Sequence, residues 1–204
     1  MTEELALVKN KPDFMIRFDP IEHRYFYGDR PVPGFSQIIK DLGFPTNPFW
    51  TLGGRDEGTA LSVWCLFLAQ GQEPADPPDD RIAGRVEGFR RFMAECSFEF
   101  VGGEEPQYCP IPEYMCKPDL WGKLNSINSV VEVKRGAAMG IHKLQTAAQA
   151  LALMAGGFSV VRRFCLYLKD GGYSLVPHKD RSDYQYWKSC VEAYHAKHTY
   201  GEGK

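Results

Sequence analysis

No stretch of this sequence is apolar for long enough to cross a bilayer. The N-terminus, MTEELALVKNKPDF, lacks the charged-then-apolar layout of a secretory leader, so the expectation is a cytoplasmic protein with no membrane partner. The six cysteines, at 65, 96, 109, 116, 165 and 190, are scattered with no C-x-x-C pair. They read as reduced, buried thiols of a cytosolic chain. Charge of one sign is also missing: the net value is −2, which excludes a protein that coats nucleic acid by charge alone. There is no internal repeat and no low-complexity run. What remains is 204 residues with 44% apolar and 13% aromatic content, enough for one large domain with a real core.

The informative stretch is EYMCKPDLWGKLNSINSVVEVKRGAAMGIHKLQTAAQ, from 113 to 149. It reads as a strand carrying Asp119, a tight connection near Asn125–Asn128, a second strand Val130–Lys134, and an amphipathic helix from about Ile141. Strict alternation in Val130-Val131-Glu132-Val133-Lys134 sends Val131 and Val133 to one face, and Glu132 and Lys134 to the other. An acid and an amine emerging together from an otherwise apolar strand point to something bound or done there. If the two strands pair antiparallel, Asp119 comes beside Glu132 and Lys134. Two adjacent carboxylates repel unless a cation sits between them. Hard divalent ions such as Mg²⁺ take that kind of oxygen cage. A lysine beside it can orient or help deprotonate a metal-bound water, a combination suited to phosphodiester hydrolysis. The alternative is a surface hairpin whose three charged groups form a solvated ion pair.

Pro118-Asp119, twelve residues, then Glu132-Val133-Lys134 resembles the PD-(D/E)xK nuclease signature. His142-Lys143-Leu144-Gln145-Thr146-Ala147-Ala148-Gln149 resembles the Q-x-x-x-Y helix of its RecB-like and lambda-exonuclease-like branch, with Gln149 where relatives have tyrosine. The resemblance covers most of the chain from Phe14 onward. It implies an α/β fold with a restriction-endonuclease-like core: a central mixed β-sheet flanked by helices, preceded by an N-terminal β-hairpin. It implies a single nuclease domain over 1–204, with 1–12 loose, 13–54 forming the hairpin and a loop, and 55–204 the core. The implied catalytic set is Asp119, Glu132, Lys134 and Gln145. The implied metal ligands are Asp119, Glu132, the Val133 carbonyl and Glu105. Glu105 best fits an E-x-x-x-Y segment in Glu104-Glu105-Pro106-Gln107-Tyr108, with Glu104 as its neighbouring alternative. Gln149 and Ser62 are accessory positions. Relatives show G-T-x-x-H where this chain has Gly58-Thr59-Ala60-Leu61-Ser62. Mg²⁺ is the expected cofactor, with Mn²⁺ second, and because serine is a poor transition-metal ligand this departure argues against a second metal or a manganese preference. The late cysteine cluster of iron–sulfur relatives is missing, so no such cluster is expected.

Elsewhere the chain reads in order as follows. Phe14–Phe18 and His23–Tyr27 alternate as strands, with Gly28-Asp29 turning after them. His23 reads as structural, packed beside aromatics. A short helix covers Ser36–Leu42, and Phe44–Gly54 is a loop. Helices follow over 55–70 and 79–95, the latter with Ile82, Val86, Phe89 and Met93 on one face and Arg81 and Arg85 beside it. Arg81, Arg85 and Lys143 are the candidate DNA contacts, a solvated helix face being the bland reading of the arginines. In helix 141–155, Leu144, Ala147, Ala148, Leu151, Met154 and Ala155 gather on one side. His142, Gln145 and Gln149 gather on the other, and Leu153 spoils the pattern. Strands at 159–168 and 173–176 and a helix at 181–198 close the chain.

The leading expectation is a Mg²⁺-dependent deoxyribonuclease acting on DNA, an exonuclease of phage recombination or repair type. It admits a recombination partner protein and homo-oligomer formation. Three rivals stand beside it: a nuclease-fold protein that binds DNA or a partner without cutting, a structure-specific endonuclease, and a hydrolase of small phosphoesters.

Overall fold

The computed structural model describes residues 15–45 and 52–201. The expected loose segment 1–12 lies outside them. The chain begins with an antiparallel three-stranded sheet, β1 (Ile16–Asp19), β2 (Arg24–Tyr27) and β3 (Arg30–Val32). Helix α1 (Phe35–Asp41) follows, then α2 (Leu52–Ala69) and α3 (Asp80–Glu95). Part of the expected loop 44–54 lies outside the described residues, and its last residues belong to α2, which starts at Leu52 rather than near Arg55.

The central sheet is mixed and five-stranded. Its members are β4 (Phe98–Gly102), β7 (Leu120–Leu124), β8 (Ile127–Lys134), β9 (Arg162–Lys169) and β10 (Gly172–Pro177), in the order β10-β9-β8-β7-β4. A ribbon of β5 (Gln107–Pro110) and β6 (Glu113–Cys116) stands apart from it. Helices α4 (Ile141–Ala155) and α5 (Ser182–Tyr200) complete the chain. The α/β class, the mixed sheet and the N-terminal hairpin match the sequence reading, with a third strand added to the hairpin. No helix among the described residues is long and apolar enough to cross a membrane.

Local chemistry explains the elements that position the site. The β7–β8 hairpin turns on Asn125 and Ser126, both left-handed at φ 50° and 65°, the two-residue turn whose twist suits paired strands. The register Leu120↔Val131 then sets Asp119, one residue before β7, opposite Glu132. Return from α4 makes β9 parallel to β8, with Lys134 beside Tyr167. In α3 the Asp79 side chain accepts the Arg81 N–H at 2.9 Å, a conventional N-cap. Its buried stripe of Ile82, Val86, Phe89 and Phe92 packs on the sheet. At Gly88 the helix comes so near the β9–β10 turn that an added Cβ would sit 2.2 Å from the Gly172 carbonyl oxygen.

The sheet is covered on both faces. Val131, Leu120, Leu124, Phe164, Leu166 and Leu168 pack with α2 and α3. On the opposite face Trp121 and Val130 pack with Ala150 and Leu153 of α4. Leu153, which breaks the amphipathic pattern on paper, is therefore core, while Met154 from the expected apolar side is 38% exposed. The other flank of α4 meets α5, whose Trp187, Val191 and Tyr194 are buried as the i, i+4 spacing anticipates.

Candidate active site

The site is built where β8 ends. Val131 and Val133 face the α2/α3 core, and Glu132 and Lys134 emerge on the α4 side, as alternation requires. Glu132 is 1% exposed, which rules out the surface-hairpin alternative. A buried carboxylate needs donors, and this one has three. Oε1 accepts from the Lys134 ammonium and from Gln145 Nε2 at 2.6 Å, and Oε2 accepts from Gln149 Nε2. Gln145 and Gln149 lie one turn apart on α4, so a single helix places both amides over one carboxylate. Gln149 Oε1 is buried and is without a partner among the described residues.

Asp119 Oδ2 accepts the Val133 N–H at 2.7 Å, which ties the start of β7 to the middle of the E-x-K segment. Burial first, and the Glu132 carboxylate next, carry the Asp119 carboxyl well above the usual carboxylate range. Lys134 and the Val133 N–H oppose that without cancelling it, and Glu104 adds to it. Burial works against the Lys134 ammonium, but Glu132 and Asp119 outweigh it and hold the proton more tightly than in an ordinary lysine. The lysine is thus a charged donor in this state, not a base.

Of the two acids in the 104–105 segment, Glu104 is the one near the site. Glu105 is exposed. Glu104 adopts a left-handed backbone at φ 56° and its N–H donates to Pro118 O at 2.8 Å. Its side chain pairs with Lys117, two residues before Asp119. Residue spacing does not report that backbone turn. Next to it, a Cβ on Gly103 would meet the Asp119 carbonyl oxygen at 2.4 Å.

Helix α2 forms one wall. Glu57 Oε2 accepts from Arg135, next to Lys134, at 2.5 Å, and the Cys65 thiol is pushed up by burial and then by Asp119 and Glu104. Ser62, half-buried, lies on α2 between those two positions. The N-terminal sheet forms another wall: burial and then Cys116, Glu104, Glu132 and Asp119 push the Tyr25 phenol up. His23 is exposed, with its ring edge-on to Phe18 at 5.2 Å. Arg81 and Arg85 are not brought to the carboxylates. They ride on α3, on the other sheet face, where Arg81 is bonded to Asp79 and Arg85 to the Arg81 carbonyl. Lys143 lies on α4, one turn before Ala147 and on the side of the β10–α5 connection.

Sequence reasoning missed a polar group beside this site. Arg163 is 3% exposed and donates to Asp183 Oδ2 at 2.7 Å, Asp180 O at 2.6 Å and Lys143 O at 3.0 Å. His142 Nδ1 and the Tyr167 hydroxyl are 2.9 Å apart, and Thr146 Oγ1 and His178 Nδ1 are also 2.9 Å apart. The available signal was the arginine pair inside an otherwise apolar strand.

Among the described residues no three Asp, Glu, His or Cys side chains are gathered into a ready ligand cage. No protein-family model matches the chain, and neither does any curated protein.

Proposed function

We propose that this chain is a metal-dependent deoxyribonuclease of PD-(D/E)xK type on a restriction-endonuclease-like core, acting from DNA ends. The observation that carries the reading is the buried Glu132, opposite Asp119 and two residues from Lys134, fixed by two glutamines of the following helix. A solvated ion pair has no need of that burial. The donor set suits a hard cation: all oxygen, with Asp119 raised by burial and then by the neighbouring Glu132, a repulsion that a positive ion relieves. Asp119, Glu132 and the Val133 carbonyl would hold Mg²⁺, with Mn²⁺ second, and Glu104 replaces Glu105 as the third acid. A bound ion supplies Lewis acidity to the phosphate and to the attacking water. The protein's own part is clear in outline. Gln145 and Gln149 fix Glu132, Asp119 is fixed by Val133 N–H, and the protonated Lys134 donates to the phosphate as negative charge builds.

One observation favours a second reading, a nuclease-fold protein that binds DNA or a partner without cutting. Glu132 already takes three donors. A single gel separates the readings. End-labelled linear duplex and covalently closed circles are incubated with Mg²⁺, Mn²⁺ or EDTA. Loss of linear DNA alone, with metal and not with EDTA, is the expected result. Rapid cutting of circles makes the protein an endonuclease, and retarded but intact DNA in every lane makes it the binding protein.

A further inference from the structure

A cavity of about 500 Å³ opens beside the site, between the start of α4 and the β10–α5 connection. That is within the range of small-ligand sites, roughly 300–1,000 Å³. Tyr167 lines it, and Tyr167 is the residue in register with Lys134 on the parallel neighbour strand. The cavity therefore begins about one strand spacing, roughly 5 Å, from the E-x-K segment and on the same sheet face.

Its electrostatics are asymmetric. Lys143 and Lys179 line it, both exposed, and among the described residues neither has an ion-pair partner. Of the two acids in its wall, one is neutralised and the other, Asp180, keeps its charge within reach of Lys143. Asp183 is bound by the buried Arg163, and Asp180 Oδ1 accepts the Ser182 N–H at 2.9 Å and the Ser182 hydroxyl at 2.7 Å. His178 in the wall is kept neutral more readily than an ordinary histidine, by burial first and then by Arg163 and Lys143. The remaining walls, Met139, Val176 and Pro177, are apolar. Two exposed ammonium groups against one remaining carboxylate leave the cavity net positive beside apolar walls, which suits a phosphate carrying a sugar and base.

We propose that this cavity is a subsite for a nucleotide unit of the bound strand, adjoining the one cut, with Lys143 and Lys179 as its phosphate ligands. The proposal rests on the nuclease reading for the strand's identity, but its test needs no cleavage. Both lysines are exposed, so Lys143→Ala/Lys179→Ala is expected to melt like the wild type.

The probe is a fluorescein-labelled single-stranded 12-mer, with anisotropy read in EDTA across a salt series. The double variant should bind about tenfold more weakly at low salt, and its log–log salt slope should be smaller by about one to two. A control, Lys40→Ala/Lys188→Ala, removes the same charge away from the cavity and should bind like the wild type. Equal loss in both variants, or no loss in either, overturns the subsite. A second arm uses dTMP as competitor. A strand subsite takes it far more weakly than the 12-mer, and equal affinity for dTMP and the 12-mer would overturn the assignment in favour of a free-nucleotide pocket. The two readings fail separately. Cavity-dependent binding without Mg²⁺-dependent cutting removes the nuclease and leaves the subsite, and cutting with unchanged binding in the double variant does the reverse.

Discussion

Replacing Glu132 with glutamine tests whether this carboxylate is kept for chemistry or for folding. The change conserves shape but removes the charge from a side chain that is 1% exposed. Three donors face it: the Lys134 ammonium and the Gln145 amide at Oε1, and the Gln149 amide at Oε2. With the new amide oxygen at the Oε1 position, the first two are still satisfied. The new NH₂ would face the Gln149 NH₂, but Gln149 carries a buried oxygen with no partner among the described residues. Rotating the Gln149 amide by half a turn lets that oxygen accept and turns its NH₂ to the unpartnered side, so one orphan group replaces another and the rotation is about neutral. The remaining cost is the loss of charge assistance to Lys134, about 1.5–3 kcal/mol before discounting. Lys134 is 26% exposed at its side chain and keeps Asp119 as a neighbouring anion, so the loss falls at or below the low end of that range. Burying a neutral amide also avoids the carboxylate's desolvation penalty. The variant should therefore lie within about 1 kcal/mol of the wild type or be more stable, a Tm change no worse than about −4 °C for a chain of this size. Thermal and urea melts in EDTA measure it. Glu132→Ala, which leaves the Lys134 ammonium and two amides facing a void, should lose about 3–5 kcal/mol. A Glu132→Gln protein destabilised by more than about 3 kcal/mol would refute the reasoning and make Glu132 a structural keystone.

Other outcomes follow from the same geometry. Lys134→Ala should retain Mg²⁺ binding by calorimetry while cleavage falls about a hundredfold or more, and Lys134→Arg should not restore it; wild-type cutting by the alanine variant removes Lys134 from the chemistry. Gly103→Ala forces a methyl to within 2.4 Å of the Asp119 carbonyl, so it should cost about 1–3 kcal/mol in urea melts and depress cleavage, and a neutral result would mean that the backbone there yields freely. Burial holds the His142 imidazole down at about 4, against an ordinary value of 6.5. The unfolded chain takes up its proton first, so stability is full above pH 6.5 and falls as pH drops toward 4, by up to about 3 kcal/mol from this group. His178 shifts in the same direction. Urea midpoints at pH 7 and 4.5 should differ less in His142→Asn than in the wild type; identical differences would show that His142 does not contribute.

Much of the site was legible because period-2 alternation is rigid. Once Val131 and Val133 are assigned to the core, Glu132 and Lys134 have only one face left. The helix Ile141–Ala155 could be bounded from glycines and periodicity, and one turn of spacing put Gln145 and Gln149 together. What failed depended on contacts between distant segments. Leu153 breaks the pattern only of a helix with a single apolar side, whereas α4 is covered by the sheet on one flank and by α5 on another. Residue spacing favours Glu105, and the left-handed turn at Glu104, the acid nearer Asp119, leaves no mark in it. Arg163 reads as a solvent-facing strand residue until Asp183, twenty residues later, is seen to meet it. The parallel return of β9, which brings Tyr167 beside Lys134, is likewise a property of the topology.

The most direct test of the central claim is cleavage of end-labelled linear duplex by the wild type and by Asp119→Ala, side by side, in Mg²⁺ and in EDTA. Asp119 is half-buried and bonded to Val133 N–H, so circular dichroism and a melt on the same preparations establish that the variant is folded. The account predicts nucleotide release by the wild type in Mg²⁺ alone and none above background from folded Asp119→Ala. Mg²⁺-dependent release at the wild-type rate by the folded variant would contradict it.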